Sequence, residues 1–555
     1  MRQQLGLFLG RRVWMSLARS LSLGLVSTTI AVLPAAAAGR ITTFFGPLQF
    51  SLSVDSLELY AKQGKIDDEL AFYTKRANPQ QVAQLRSLLQ QRIPVSPVLL
   101  SQVTYTSVGE ALLQQVGTIV QTEAGQNGFY ALRAALLLAA ADPQGVTVVN
   151  VLRHYPSPSV RFDLQAGLAL TKTFTAGRSQ QQQAIAAVQQ IARAEAAAQP
   201  PIDFAEKPKL QQPGSFRWQR QTFRLTEQAR TVPVDLYLPE RNADNKASIP
   251  LVVILHGAAS DRSTFAYLAT HLASYGFAVA IPESPGNSAQ RYRQFLAGRA
   301  LEPDVAELIN QPLDVTRLLD ELERRSRTDT SLQALNLQQV GVMGHSQGGY
   351  AALALAGAPL NLAQLQQDCQ SGQTFNITLL VQCQALTLPP RAERLQDSRI
   401  KAVLAVNPIT SSLLGRSSLS QIQVPVMLMA GSNDAVTPAV PEQIRPFTWL
   451  TTPDRYLALI TRGTHFSMLG GAPNDAGVLN IPPGLAGPDP EIARGYLNAL
   501  SLAFFATYIA QQPTYRLYLS AAYANYLSQE PLPLSLLQSG KGLEALSGQR
   551  SAVSR

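Results

Sequence analysis

The second half of the chain alternates short apolar runs with amphipathic segments. Residues 251–255 (LVVIL), 424–430 (VPVMLMA) and 456–460 (YLALI) are almost wholly apolar, which is typical of strands that are buried on both faces. Residues 314–323 instead repeat valine and leucine at helical spacing. This alternation predicts an α/β fold, in which helices cover both faces of a mostly parallel sheet.

The same region contains the signals of a sheet edge. Residues 216–225 and 232–238 alternate apolar and polar side chains, so we expect them to pair as antiparallel strands. A helix over residues 265–275 and a strand over residues 277–281 should follow.

The first part of the chain carries helix signals. Asp55 and Glu58 have the spacing of a capping box, and Gly64 is a suitable helix stop. Further helices are expected to begin at Asn78 and to cover residues 130–138. This region contains no paired catalytic residues, and its one histidine, His154, is interpreted as structural. We predict a small, mainly helical domain.

Composition divides the chain into five segments. Glutamine and alanine dominate the stretch before Pro200 and Pro201, which indicates a solvated helix and a proline-rich linker. Tyrosine and leucine interleave over residues 515–526, a pattern that favours packing over binding. The predicted segments are a signal peptide at 1–38, the helical domain at 39–174, a linker at 175–211, an α/β domain at 212–528 with cap-like insertions near 360–400 and 467–490, and a flexible tail at 529–555.

The leader predicts export. It combines a basic start, an apolar stretch over residues 21–33 and small residues up to Ala38, the pattern of a cleaved secretory signal. The apolar stretch is shorter than the ~20 residues of a spanning helix. We expect a periplasmic or extracellular protein with no transmembrane segment in its mature chain. The general export route is favoured, and Arg11-Arg12 leaves a twin-arginine route open.

Charge and cysteines narrow the classes of function. The net charge is +9, and removing the four arginines of the leader leaves +5. The remaining basic residues form no dense run, which argues against nucleic-acid binding. Cys369 and Cys383 share one insertion, so a disulfide is predicted in an exported chain, with two free buried thiols as the alternative. No histidine lies near them and no metal or organic cofactor is implied.

The segment GHSQGG at residues 344–349 has the strand–turn–helix context of a nucleophile elbow. Gly344 and Gly348 should relieve collisions across the turn, and Ser346 is expected to stand exposed as the nucleophile. A glycine- and serine-rich loop is the alternative interpretation.

A catalytic serine needs a base and an acid. His465 lies after the elbow, where the order serine, acid, histidine requires the base, and the other histidines do not fit that order. Asp434 directly follows an apolar strand and is the favoured acid. Aspartates elsewhere downstream are interpreted as solvated loop residues.

The oxyanion hole is assigned to two backbone N–H groups. One belongs to Ala258, since Gly257 gives the backbone room to turn after the strand at 251–255, and the other belongs to Gln347. His256 is interpreted as ordering this loop rather than taking part in the chemistry.

Four motifs, LVVILHG, VGVMGHSQGG, GSND and GTH, together resemble the α/β-hydrolase superfamily, and more closely its platelet-activating-factor acetylhydrolase and dienelactone-hydrolase-like branch. The resemblance covers residues 212–510 and implies the α/β-hydrolase fold. The segment FFGPLQFSLSVDSLELYAKQGKI resembles the domain of unknown function that precedes α/β hydrolases in cyanobacterial exported proteins. That second resemblance implies a context and no activity.

The expected function is hydrolysis of carboxylic esters, lipid acyl or acetyl esters among them, through an acyl-enzyme on Ser346. The same triad would serve a peptidase or a thioesterase. A non-catalytic envelope-binding protein on a hydrolase scaffold is a further alternative, and an envelope partner of the N-terminal domain is left open.

Overall fold

The computed structural model describes residues 37–227, 230–240, 247–370, 375–389, 394–470 and 483–543. All but the last two residues of the predicted signal peptide lie outside these ranges. The chain forms two compact units, one comprising residues up to Leu100 together with Val116–Ala166, the other Ser101–Gln115 together with the chain from Gly167 onward. Within the described ranges, no helix is long and apolar enough to cross a membrane.

The first unit contains a four-stranded sheet as well as helices. Its strands are β1 (Arg40–Phe45), β2 (Leu48–Ser53), β3 (Val120–Thr122) and β4 (Ser159–Phe162), in the order β2-β1-β4-β3. The helices up to the second sheet are α1 (Val54–Gln63), α2 (Asp68–Thr74), α3 (Pro79–Gln90), α4 (Pro97–Thr104), α5 (Ser107–Ile119), α6 (Phe129–Ala141), α7 (Val148–Arg153) and α8 (Leu164–Ala198).

The expectation of a mainly helical domain missed this sheet. β1 pairs in parallel with β4, more than a hundred residues further along the chain, so local periodicity could not reveal the pairing. The predicted helices are present. However, α1 is capped by Ser53, whose Oγ accepts from the amide of Ser56, and not by Asp55. Gly64 ends α1 in a left-handed conformation, as expected.

The second unit is built on a nine-stranded sheet. Its strands run in the order β13-β12-β11-β10-β9-β7-β8-β6-β5. From β8 to β12 every neighbouring pair is parallel, whereas β5, β6 and β13 are antiparallel to their neighbours. The strands are β5 (Trp218–Glu227), β6 (Arg230–Pro239), β7 (Ile249–Leu255), β8 (Ala278–Pro282), β9 (Leu335–His345), β10 (Ile400–Val406), β11 (Val426–Gly431), β12 (Arg455–Ile460) and β13 (Leu534–Leu537).

Two apolar clusters bury the faces of this sheet. One contains Leu251, Val253 and Val342, while the other contains Val252, Ile254 and Met343, so successive residues of one strand point to opposite faces. This confirms the predicted sheet with helices on both sides. The helices of this part are α9 (Ala266–Ala273), α10 (Ala289–Leu296), α11 (Glu307–Ser326), α12 (Gln347–Leu355), α13 (Leu362–Gln370), α14 (Ile377–Cys383), α15 (Gly415–Leu419), α16 (Arg445–Phe447), α17 (Pro483–Ala486), α18 (Pro490–Tyr508) and α19 (Ala521–Leu527).

Within the predicted linker at 175–211 the expected helix is present, but it is not solvated on all sides. Residues up to Ala198 belong to α8, and Ala184, Val188 and Ala192 form a buried stripe at a spacing of four residues. The stripe is made of small side chains between glutamines, so its apolar signal is weak. Beyond the helix, Phe204 packs against three tyrosine rings of the C-terminal segment.

The C-terminal region contains a predicted packing stripe and a predicted flexible tail. The tyrosine stripe at 515–526 serves packing, as predicted, since Tyr523 is buried against Phe204. The prediction of a flexible tail from residue 529 is wrong over residues 529–543, because β13 adds to the sheet beside β12. The last strand is ordered because it pairs with a strand more than seventy residues earlier in the chain. Residues 544–555 lie outside the described ranges.

The disulfide prediction is confirmed. Cys369 and Cys383 are bonded, with their Cα atoms 5.9 Å apart. The bond joins the end of α13 to the end of α14 within the first predicted insertion. Much of the second predicted insertion, residues 471–482, lies outside the described ranges.

Val188 tests whether α8 is part of the folded core. The substitution Val188→Ala should lower the free energy of unfolding by about 2 kcal/mol, because it leaves a small cavity in a packed interior. Gln190→Ala, at an exposed position of the same helix, is the control and should change little. Chemical denaturation measures both, and equal stabilities of the two variants would restore the solvated-linker interpretation.

Candidate active site

Ser346 occupies the turn between a central strand and a helix. β9 ends at His345 and α12 begins at Gln347, so the predicted strand–turn–helix setting is present. Ser346 has a φ of 55° and a ψ of −119°, a backbone conformation that costs about 1–3 kcal/mol for a residue with a side chain. A strained turn of this kind is typical of a nucleophile elbow.

The turn can close because glycine stands at residues 344 and 348. A Cβ atom on Gly344 would lie 1.9 Å from the carbonyl oxygen of Gly348, and one on Gly348 would lie 2.4 Å from that of Leu255. Both separations are far inside van der Waals contact. Gly344 thus relieves a collision across the turn, as predicted, whereas Gly348 makes room for the end of the neighbouring strand β7.

The expectation that Ser346 stands exposed is wrong, since the residue is 7% exposed. The amide of Ser346 donates a hydrogen bond of 2.9 Å to the carbonyl oxygen of Val406. A Cβ atom added to Gly257 would lie 3.0 Å from the Cβ of Ser346. The segment that follows β7 and the last residue of β10 thus enclose the turn. These contacts join distant parts of the chain, which a local motif does not report.

His465 and Asp434 form a buried hydrogen-bonded pair. Nδ1 of His465 lies 2.7 Å from Oδ2 of Asp434, and the two side chains are 6% and 0% exposed. The parallel pairing of β11 with β12 brings the two loops together at the carboxyl ends of these strands. Because the carboxylate accepts, Nδ1 carries the proton, and Nε2 of the neutral imidazole is left as an acceptor.

The carboxylate of Asp434 is held by its own loop. Oδ1 accepts from the amides of Val436 and Thr437 at 2.8 and 2.7 Å, and the Thr437 hydroxyl donates to Oδ2 at 2.8 Å. Three donors thus fix the orientation of the carboxylate toward His465. Thr437 lies three residues after Asp434, a spacing at which aspartate side chains often accept from the backbone, so this partner could have been found from sequence.

His345 supports the backbone of His465. Its Nε2 donates to the carbonyl oxygen of His465 at 3.0 Å, and the two ring centroids are 4.7 Å apart. Burial holds the pKa of His345 well below its usual value, and the neighbouring His465 adds to this effect. His345 is therefore neutral and contributes a fixed donor to the loop of His465.

His256 orders the loop that follows β7. Its Nε2 accepts from the amide of Ser284 at 3.0 Å, so Nδ1 carries the proton and donates to the carbonyl oxygen of Gly257 at 2.8 Å. Gln311 donates to the carbonyl oxygen of His256 at 2.9 Å, and burial lowers the pKa of the imidazole. These contacts agree with the structural role predicted for His256.

The two amides predicted for the oxyanion hole lie in suitable settings. Gln347 is the first residue of α12, where an N–H has no acceptor within the helix. Ala258 follows Gly257, and the next residue, Ala259, has a φ of 60° and donates its amide to the carbonyl oxygen of Asn287 at 2.9 Å. The assignment of the hole to Ala258 and Gln347 stays a prediction.

The disulfide-bearing insertion contacts the loop of Asp434. The Thr378 hydroxyl of α14 donates to the carbonyl oxygen of Val436. Gln382 of the same helix donates to Oε1 of the buried Glu442 at 3.0 Å and accepts from the amide of Leu413 at 2.7 Å. Burial raises the pKa of Glu442. The insertion is thus fixed beside the candidate site, as predicted.

Several residues of this region had no sequence signal. Asn407 bridges the loops of Asp434 and His465, while Glu442 and Gln382 fix the insertion. Each is a single polar residue outside any motif, and only the folded chain gives it partners.

In the part of the chain that the structure describes, no group of three or more histidine, cysteine, aspartate or glutamate side chains could hold a metal ion.

Comparison with known families fits this architecture. The family described as alpha/beta hydrolase of unknown function (DUF1400) matches residues 37–163, and the chlorophyllase family matches residues 207–368, which include the Ser346 turn. No curated protein matches the chain. The second unit has the α/β-hydrolase fold and follows a DUF1400 region, as the sequence resemblance implied. These matches support a hydrolase in general.

The glycine requirement of the turn can be tested by stability alone. Gly344→Ala should cost several kcal/mol or prevent folding, because its Cβ would overlap a backbone oxygen that cannot move independently. Gly495→Ala in α18 is the matched control, since its Cβ would meet nothing closer than 3.8 Å, and it should stabilise the helix by about 0.5–1 kcal/mol. Denaturant midpoints measure both variants. A Gly344→Ala protein as stable as the parent would contradict the described turn.

Proposed function

We propose that this protein is an exported serine hydrolase that cleaves carboxylic esters, lipid acyl or acetyl esters among them, through an acyl-enzyme on Ser346. The observation that carries the proposal is the buried bond between His465 and Asp434. The imidazole of His465 packs on His345, the residue that directly precedes the strained Ser346.

In the proposed first step, Oγ of Ser346 attacks the ester carbonyl carbon while its proton passes to Nε2 of His465. Asp434 stabilises the imidazolium, and the amides of Ala258 and Gln347 bind the oxyanion. The bond to the alcohol oxygen then breaks, and His465 returns its proton to that oxygen. The acyl group remains on Ser346.

In the second step, a water molecule attacks the acyl carbon and gives its proton to His465. The bond to Oγ breaks, the carboxylic acid leaves, and His465 returns the proton to Ser346. Both steps use one imidazole that changes between acceptor and donor. The Nδ1–H donated to Asp434 keeps Nε2 as the nitrogen that exchanges protons.

Apolar side chains near the acid loop support an acyl or alkyl group as the bound part of the substrate. Ile377 and Val381 of α14 are 46% and 37% exposed, and Val436 of the Asp434 loop is 39% exposed. Residues 375–389 contain no charged side chain that could grip a peptide terminus. In the second predicted insertion, near 467–490, Leu485 is exposed, and residues 471–482 lie outside the described ranges.

Export is supported by two independent features. The leader has the pattern of a secretory signal, and a disulfide links Cys369 to Cys383, which suits an oxidising compartment. We therefore place the mature protein in the periplasm or outside the cell.

Ser346 and Asp434 provide the first test of the proposal. Ser346→Ala should abolish labelling by a fluorophosphonate probe, since no other acylated serine is expected. Asp434→Asn should lower kcat by about 10⁴-fold, as when a triad acid loses its charge. Ser501→Ala, a buried serine of α18, is the control for labelling. Persistent labelling of Ser346→Ala would overturn the proposal, and a normal rate for Asp434→Asn would assign the acid to another aspartate.

Substrate choice provides a separate test. We expect kcat/KM to be higher for p-nitrophenyl acetate, butyrate or a long-chain ester than for matched aminoacyl p-nitroanilides, because an amide has the poorer leaving group and residues 375–389 beside the acid loop carry no charge to bind a peptide terminus. The Ser346→Ala variant supplies the background rate. If an anilide is cleaved faster than every ester, the peptidase alternative replaces this assignment.

A further inference from the structure

The end of β10 joins the three candidate catalytic loops, although it carries no candidate catalytic group. β10 lies between β9, which leads to Ser346, and β11, which leads to Asp434. Its last residue, Val406, accepts the amide of Ser346 at 2.9 Å. The following residue, Asn407, is fully buried and contacts the other two loops.

The side-chain amide of Asn407 bonds in two directions. Oδ1 accepts from the amide of Gly431 at 3.0 Å, at the start of the loop that carries Asp434. Nδ2 donates to the carbonyl oxygens of His465 and Thr464 at 3.3 and 3.4 Å. An asparagine has both an acceptor and two donors on one short side chain, so it can satisfy both loops at once.

The backbone of Asn407 adds further links. The Thr437 hydroxyl, which donates its one proton to Oδ2 of Asp434 at 2.8 Å, also lies 3.1 Å from the carbonyl oxygen of Asn407 and 3.2 Å from Nδ1 of His465. The amide of Asn407 donates to Met429 of β11 at 2.8 Å. Both halves of the acid–base pair are thereby connected to one residue.

Asn407 holds an unusual backbone conformation to make these contacts. Its φ is 43°, in the left-handed region that asparagine tolerates better than most residues. The conformation persists because the surrounding hydrogen bonds determine it, and such locally strained residues concentrate at functional sites.

We infer that Asn407 is a positioning residue that sets the distance and orientation between Asp434 and His465 and aligns His465 with Ser346. The inference rests on the proposed function. Asn407 acts through the backbone of its partners and does not itself contact the reacting atoms. Misplacement of a catalytic group by about 1 Å can lower a rate by about 100-fold, so the loss of this bridge should act on kcat.

Two substitutions separate the side chain from the backbone conformation. Asn407→Gly keeps the left-handed backbone accessible and removes the amide. Asn407→Asp is nearly isosteric and can accept from Gly431, but it lacks the two amide N–H donors that face His465 and Thr464. Both should lower kcat for p-nitrophenyl butyrate about 100-fold, with KM within threefold of the parent, and should slow fluorophosphonate labelling of Ser346 by a similar factor.

The matched control is Gln511→Gly. Gln511 also has a left-handed backbone, with a φ of 54°, and its side chain bonds to Gln339, which lies outside the candidate site. This variant should keep the parent kcat. Rates are expressed per folded molecule, from the amplitude of the unfolding transition, so that a poorly folding variant still reports on activity.

The outcomes are distinguishable from failure of the proposed function. If the parent is active and depends on Ser346, but both Asn407 variants keep the parent kcat or change only KM, positioning by Asn407 is wrong and the hydrolase assignment stands. If neither variant has a folded fraction at 25 °C, Asn407 is a stability residue and the inference is likewise overturned. An inactive parent that resists labelling would instead reject the hydrolase proposal.

Discussion

The left-handed turn at Ser346 is the constraint on which the site depends. It requires glycine at residues 344 and 348 because the neighbouring carbonyl oxygens leave no room for a Cβ. The turn costs free energy, and it is stabilised by a central strand packed on both faces and by the bond from its amide to Val406. A rigid parallel sheet is thus the means by which the chain holds one strained residue in place.

The two buried carboxylates near this turn, those of Asp434 and Glu442, each accept several hydrogen bonds. Asp434 receives three hydrogen bonds from its own loop besides the one from His465, and the buried Glu442 receives donors from two other segments. Unpaired groups of this kind would each cost about 1–3 kcal/mol. The pairing therefore both stabilises the loops at the carboxyl ends of the strands and limits them to one arrangement.

Two segments were misjudged from sequence for related physical reasons. The helix that ends at Ala198 buries Ala184 and Val188, and the terminal strand at Leu534–Leu537 joins the sheet, yet the first buries mostly small side chains and the second is only four residues long. Small side chains and short strands contribute little to local periodicity. Their burial comes from partners far along the chain, so composition alone made them look solvated.

The sequence by itself determined the alternation of strands and helices from residue 216 to the elbow, the glycine-flanked turn at Ser346, the disulfide, and the candidates His465 and Asp434, because each leaves a local pattern or a unique position in the chain. The strands β10 and β13 were not predicted. Only the tertiary structure decided that Ser346 is enclosed, that Asn407 bridges two loops and that a four-stranded sheet lies in the first unit. These features depend on contacts between residues far apart in sequence, and such contacts arise when the strands pair and bring their carboxyl ends to one edge.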